Sequence, residues 1–217
     1  MSEVTLAAHE PFLQHHFSGP EQQADAGKIG MWLFLVTEIL LFGGLFVGFA
    51  IMQSMHREAF LAAHHHLDRT LGAINTVVLL ASSYTMVMAV DSARLGRKKQ
   101  IVVFLLLTLI AAGCFLGIKY IEYSHKIHEG LLPGKFYHHA GDAVRGQFMF
   151  FSFYFMMTGL HGLHIVGGMA AIGWILRRTL RGDFSPAYYT PVDLVGLYWH
   201  LVDMIWIFLF PLLYLIR

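Results

Sequence analysis

Five apolar runs, each long enough to cross a bilayer as a helix, constrain this chain more than any other feature of its sequence. A spanning helix needs about 20 mostly apolar residues, because each residue rises about 1.5 Å across roughly 30 Å of hydrocarbon. Residues 29–52, 71–90, 101–121, 148–176 and 193–216 meet that requirement. The fourth run is long enough to tilt or protrude. None shows the alternation of barrel strands, so helices are the expected spans. Of the 217 residues 13% are charged, well below the roughly one quarter of a soluble domain, which leaves no room for a separate soluble unit. The expected fold is an all-α integral membrane protein, a bundle of five transmembrane helices over residues 28–217, preceded by a polar segment, 1–27. That segment lacks the apolar core of a signal peptide, so the first run itself is expected to direct insertion.

The connections set an expected orientation. Arg94, Arg97, Lys98 and Lys99 crowd one short loop, and Arg177, Arg178 and Arg181 another. In a five-span chain these loops share a side, and the excess of Lys and Arg makes that side cytoplasmic. The N-terminus is then cytoplasmic and the C-terminus lies on the outer face. The other loops are longer and rich in histidine, with His64, His65 and His66 in one and His138 and His139 in the other. Such tracts can bind copper or zinc, or stand simply as solvated loop residues.

Composition removes several function classes. The formal net charge is +1 and the cations sit in short connections, so nucleic-acid binding has no support. Cys114 is the single cysteine, which excludes an intrachain disulfide and a cysteine-based zinc or iron–sulfur site.

Ionisable groups inside apolar spans are costly and need a partner or a purpose. Glu38 lies about ten residues into the first run. A carboxyl there is either a proton-exchanging group or a protonated group hydrogen-bonded to another helix. Gly44 and Gly48 follow it in a GxxxG spacing that permits close helix packing. His161 and His164 are three apart and share a helix face, fit either for metal or haem ligation or for interhelical hydrogen bonding. His200 and Asp203 are also three apart and can pair, and Asp203 can alternatively reach His161 or His164. Proton shuttling and simple satisfaction of a buried polar group are both open here. Lys119 and Glu122 are spaced for an ion pair at the membrane interface or a lipid headgroup site. Trp32, Tyr123 and Trp199 fall near expected helix ends, where interfacial aromatics belong.

These segments together resemble subunit III of the haem–copper respiratory oxidases. MWLFLVTEILLFGGLF is similar to the helix of that family bearing its mid-membrane glutamate, which maps to Glu38. Asn75 to Ser83 resembles the next helix, and Glu122-Tyr123 the family's Glu-Tyr pair. Thr158 to His164 resembles its TG-x-HG-x-H motif, and Tyr198 to Phe210 its WHF-VD-x-x-W-x-F motif. The order is the family's own. Larger members have two further helices before these five, and Lys119 stands where many have glutamine.

The resemblance implies a non-redox subunit of a proton-pumping terminal oxidase, of cytochrome c oxidase type. Such a complex is a cytochrome c:oxygen oxidoreductase, in which this chain is itself non-catalytic. It further implies packing beside oxidase subunit I, with subunit II and a small subunit IV as further partners, in a bacterial inner membrane. Haem and copper are expected in partner subunits and phospholipid on this chain, with no metal bound by it and with support of proton uptake as its contribution. Subunit III of a quinol oxidase, or an accessory subunit of a related nitric oxide reductase, is the alternative within the resemblance. Outside it stand a haem or metal carrier built on His161, His164 and His200, and a proton-coupled transporter built around Glu38.

Overall fold

A computed structural model describes residues 12–65, 67–132 and 144–216, and the side chains within them except those of residues 144 and 145. His66, His138 and His139 lie outside the described residues. Among the described residues six helices follow in order: α1 Pro20–Met55, α2 Arg57–His64, α3 Arg69–Arg94, α4 Lys98–His128, α5 Val144–Arg181 and α6 Thr190–Tyr214. Five of them, all but α2, are long and apolar enough to cross a membrane. α1, α3, α4 and α5 outrun the apolar stretches of the sequence at both ends, where polar residues extend them, whereas α6 begins three residues before its stretch and ends at Tyr214, short of residue 216. α1 with 36 residues is about 54 Å long at 1.5 Å per residue.

Local chemistry sets the helix ends. Pro20 opens α1, where a missing N–H costs nothing. Asp68 caps α3 by accepting from the backbone N–H of Thr70 at 2.8 Å and of Leu71 at 3.2 Å. Gly96, at φ 68°, makes the tight turn between α3 and α4, a conformation that disfavours any residue with a Cβ. α2 is an addition to the expected architecture. The chain breaks at His56 and resumes as an eight-residue helix that buries Phe60 and Ala63. The stretch between the first two apolar runs, expected to be a loop, therefore carries a short helix, held against α5.

α3, α4, α5 and α6 form the body of the bundle, with α3 against α4 and α6, and α5 against α4 and α6. α6 is central: Trp199, Val202, Trp206, Leu209, Leu213 and Tyr214 are among its fully buried residues. The approach of α5 to α6 depends on Gly168, where an added Cβ would stand 2.8 Å from the Trp199 ring. α1 lies at the edge, against α5 and α6. It buries Leu35, Phe42 and Phe49, one residue in seven along a single stripe. Its remaining surface is apolar and outward, with Ile29, Leu33, Ile39, Leu40 and Val47 exposed, as a lipid or a partner subunit requires.

The two basic connections meet at one end of the bundle. Lys98 Nζ at the start of α4 donates to the Leu180 carbonyl near the end of α5 at 2.8 Å. Arg94 at the end of α3 pairs with Asp193 at the start of α6 at 3.3 Å.

Candidate functional site

Apart from His161, the costly groups singled out in the spans sort into three clusters. In the first, Glu38 of α1 meets His164 of α5, Oε2 to Nε2 at 2.8 Å. The Nδ1 of His164 faces the Leu160 carbonyl at 2.8 Å, which can only accept, so Nδ1 carries a hydrogen. One further proton then lies between Nε2 and Oε2. Whether it resides on the carboxyl or on the imidazole, the pair as a whole is neutral. Such a pair meets the requirement that intramembrane charge be matched. Tyr198 of α6 donates to the His164 carbonyl at 2.9 Å, and the Phe42 ring sits edge-on to the imidazole at 5.3 Å. Both side chains keep about 15% of their surface exposed, so the pair opens on the seam between α1 and α5.

The second cluster joins α4, α5 and α6. Lys119 Nζ donates to Glu122 Oε2 at 2.9 Å and to the Tyr214 hydroxyl at 2.6 Å. The Tyr214 hydroxyl donates in turn to Glu122 Oε1 at 2.5 Å, so both carboxylate oxygens are occupied. The ammonium also lies over the rings of Trp206, Tyr214 and Tyr154, at 4.7, 5.1 and 5.4 Å from their centroids. Lys119 and Glu122 were read as an interfacial pair. The structure buries both, because α4 turns that face inward onto α5 and α6. Tyr123 donates to Thr158, whose own hydroxyl hydrogen goes to the Tyr154 carbonyl.

The third cluster lies between α3 and α6. His200 Nδ1 is 2.7 Å from the Ser83 hydroxyl, so it turns away from Asp203 and toward α3. Asp203 is buried, with Oδ2 3.5 Å from the Ser82 hydroxyl. Trp199 Nε1 donates to Ser82 at 3.1 Å, and Trp206 Nε1 to Thr76 at 3.0 Å. Trp199 was expected at an interface and is instead fully buried, because α6 is the central helix.

His161 and His164 part company despite their shared helix face. His164 reaches α1, whereas His161 stacks on Trp206 at 5.4 Å and meets Phe115 edge-on at 5.6 Å. Among the described residues, no three of His, Cys, Asp and Glu converge as a metal ion would require. Asp203 has no ion-pair partner among the described residues, so the alternative pairings with His161 and His164 are not made. Of the two packing glycines, Gly48 abuts the Phe153 ring, while an added Cβ at Gly44 would meet nothing within 4 Å. Trp32 is exposed on the outer face of α1.

Outside the spans, His64 is buried in α2. Its Nδ1 is 2.6 Å from the Leu61 carbonyl, and Arg69 Nη2 donates to its Nε2 at 2.7 Å. Burial lowers its pKa from the usual 6.5, the Leu61 bond raises it, and the charges of His65 and Arg69 lower it again. His64 is thus a structural tie between α2 and α3.

Sequence reasoning did not single out Tyr214, Ser82, Ser83 or Thr158 as site members. Tyr214 follows Asp203 by eleven residues, about three turns, so it lies near the face that already carried the buried acid. The serines carried no comparable mark, because a hydroxyl costs little in an apolar run.

The sequence profile described as cytochrome c oxidase subunit III matches residues 12–216. Quinol oxidase subunit 3 of Bacillus spizizenii is 32% identical over 198 residues, covering 90% of this chain and 91% of the relative. Quinol oxidase subunit 3 of Bacillus subtilis is 31% identical, with the same coverage of both chains. A probable cytochrome c oxidase subunit 3 of Nocardia farcinica is 31% identical over 190 residues, 88% of each chain. A match over nearly the whole described chain, together with relatives of its own length, establishes that this chain belongs to the subunit III family of the haem–copper oxidases.

Proposed function

We propose that this chain is the non-redox subunit III of a proton-pumping terminal oxidase, stabilising subunit I, retaining phospholipid and supporting proton uptake. Its supporting observation is how the polar groups are closed. Glu38 is spent on His164 and Glu122 on Lys119 and Tyr214, while α1 turns a long apolar face outward. A chain that pairs its own charges and leaves its lipid-facing surface apolar is built to be packed against. Haem and copper belong to the partner subunits in this reading, with subunit II and a small subunit IV beside subunit I.

Cytochrome c is the donor implied by the resemblance of the Asn75 to Ser83 stretch to the cytochrome c oxidase members of the family. Quinol is the second reading, favoured by the names of the two Bacillus relatives. The excess of Lys and Arg at the bundle end where the basic turns meet supports a cytoplasmic position for that end and for the N-terminus, in the inner membrane of a bacterial cell. The test is affinity purification of the tagged chain from its native membrane. A multispanning partner with a reduced-minus-oxidised haem signal is expected, and oxygen uptake with reduced cytochrome c or with quinol then separates the donors. A chain that purifies alone with its own stoichiometric haem or metal would overturn the proposal.

A further inference from the structure

A cavity of about 780 Å³ opens at the bundle end where the basic turns meet, between the start of α1, the end of α5 and the start of α6. It takes in no member of the three clusters. One wall is the segment before α1. There the Phe12 ring stacks on Tyr188 at 4.4 Å. The Gln23 side chain accepts from the Gln14 N–H at 2.8 Å and donates to the Phe12 carbonyl at 3.1 Å. The segment is thereby folded back along α1 and tied to the α5–α6 connection. The cavity changes character with depth. Trp174, Leu194 and Val195 line it at the edge of the fourth and fifth apolar runs, and Gln14, Glu21 and Tyr188 line it beyond that edge.

The charges that face it are few and ordered. Lys28 adjoins the first apolar run, and Glu21 stands seven residues, about 10 Å, farther toward water. Seven residues is close to two turns, so both lie on one face of α1. Neither makes an ion pair among the described residues. Asp193 also lines the cavity, but Arg94 holds it at 3.3 Å. Arg178 is spent as well, on Asp183 at 2.9 Å and over the Trp174 and Tyr188 rings at 5.1 and 5.8 Å. What remains is one cation at the membrane boundary with one anion above it.

We infer that this cavity holds the head of one phospholipid that carries an ammonium, its phosphate on Lys28 and its ammonium on Glu21. A phospholipid standing in its leaflet keeps the phosphate beside the glycerol and the amine outside it, which is the order of the two side chains. A head with phosphate and no amine would satisfy Lys28 and leave Glu21 facing like charge, so the pair selects by repulsion as well as attraction. Trp174 and Tyr189 flank the glycerol level, where rings with a polar edge belong. This site deepens the phospholipid-retaining role proposed above and rests on it, and it is independent of the electron donor.

Photolabelling of the purified assembly, returned to vesicles of phosphatidylethanolamine and phosphatidylglycerol in equal parts, tests this. Two probes are used, one of each head, with the same diazirine on the acyl chain next to the glycerol. The ethanolamine probe is expected to label the peptides around Trp174 and 187–195 about threefold or more above the glycerol probe, the order that one partly exposed ion pair supplies. On the outward face of α1, at Leu40, the two should label alike. Lys28→Gln is expected to lower labelling of the cavity by both probes, and Glu21→Gln by the ethanolamine probe alone. Glu21→Lys is expected to invert the preference, a gain that a damaged fold would not produce. Both residues are exposed on the first turns of α1, so neither change burdens the fold. Equal labelling of the cavity by the two probes, or a preference unmoved in Glu21→Lys, would overturn the inference. Phospholipid counted in the gently purified assembly reports separately on the retaining role: lipid present with the cavity unlabelled sinks the site alone, and an assembly without lipid sinks both.

Discussion

Lys119 and Tyr214 stand 95 residues apart and meet at 2.6 Å, with Glu122 bonded to both. α4 is thereby fastened to the last turn of α6 through a charge pair removed from lipid and water. Breaking a buried pair by removing one partner typically costs about 3–5 kcal/mol, whereas replacing both with apolar groups is far milder. Lys119→Met alone is expected to release this subunit from its complex at lower temperature or detergent concentration. Lys119→Met combined with Glu122→Leu is expected to recover most of the loss. Thermal retention of the subunit in the purified assembly measures both.

Glu38→Ala leaves His164 with an unanswered ring nitrogen facing the α1–α5 seam. The expected result is weaker assembly or a shorter active lifetime during turnover, with the haem spectrum of the complex unchanged. Glu38→Gln keeps a hydrogen-bond donor for Nε2 and should fall between Ala and the unaltered chain. Loss of the haem spectrum from an otherwise intact complex would contradict this.

Gly168 and Gly44 make a contrasting pair. Gly168→Ala drives a methyl to 2.8 Å from the Trp199 ring, and overpacking of this kind costs about 1–3 kcal/mol. Gly44→Ala meets nothing in its own chain. It should leave thermal unfolding of the isolated subunit unmoved, so any effect on co-purification would locate a partner or a lipid on that part of α1.

The lowered pKa of His64 gives a pH dependence with a definite sign. The folded state binds its proton more weakly than the unfolded chain does, so stability is full above about 6.5 and falls as pH drops toward the folded value. A protonated imidazole would face the Arg69 guanidinium. Hydrogen exchange of α2 amides is expected to rise below that pH while the exchange of α4 stays constant. His64→Gln should remove the dependence.

The spans were legible because every turn of lipid-facing helix must be apolar, a demand that survives any arrangement of neighbours. α2 was not, since eight residues with three histidines nearby give no sustained periodicity and His56 provides no side-chain cap. The partners of the buried groups divide in the same way. Lys119 and Glu122 share a helix face, so their pairing could be read from spacing. Glu38 and His164 are 126 residues apart, so only the packing of α1 on α5 joins them. Trp199 was misplaced for a related reason. Proximity to a helix end suggests an interface, and the central position of α6 decides otherwise.

α1 touches its neighbours chiefly through the stripe of Leu35, Phe42 and Phe49, with Glu38 inside it, Gly48 against the Phe153 ring, and Met31, Leu45, Phe46 and Met52 partly buried beside it. Such a helix is nearly a blank page between those marks. Its outward residues can be rewritten with other apolar ones at little consequence for the chain's own fold, so whatever letters prove intolerant of change in a saturation scan of α1 will spell the outline of the neighbour that lies against it.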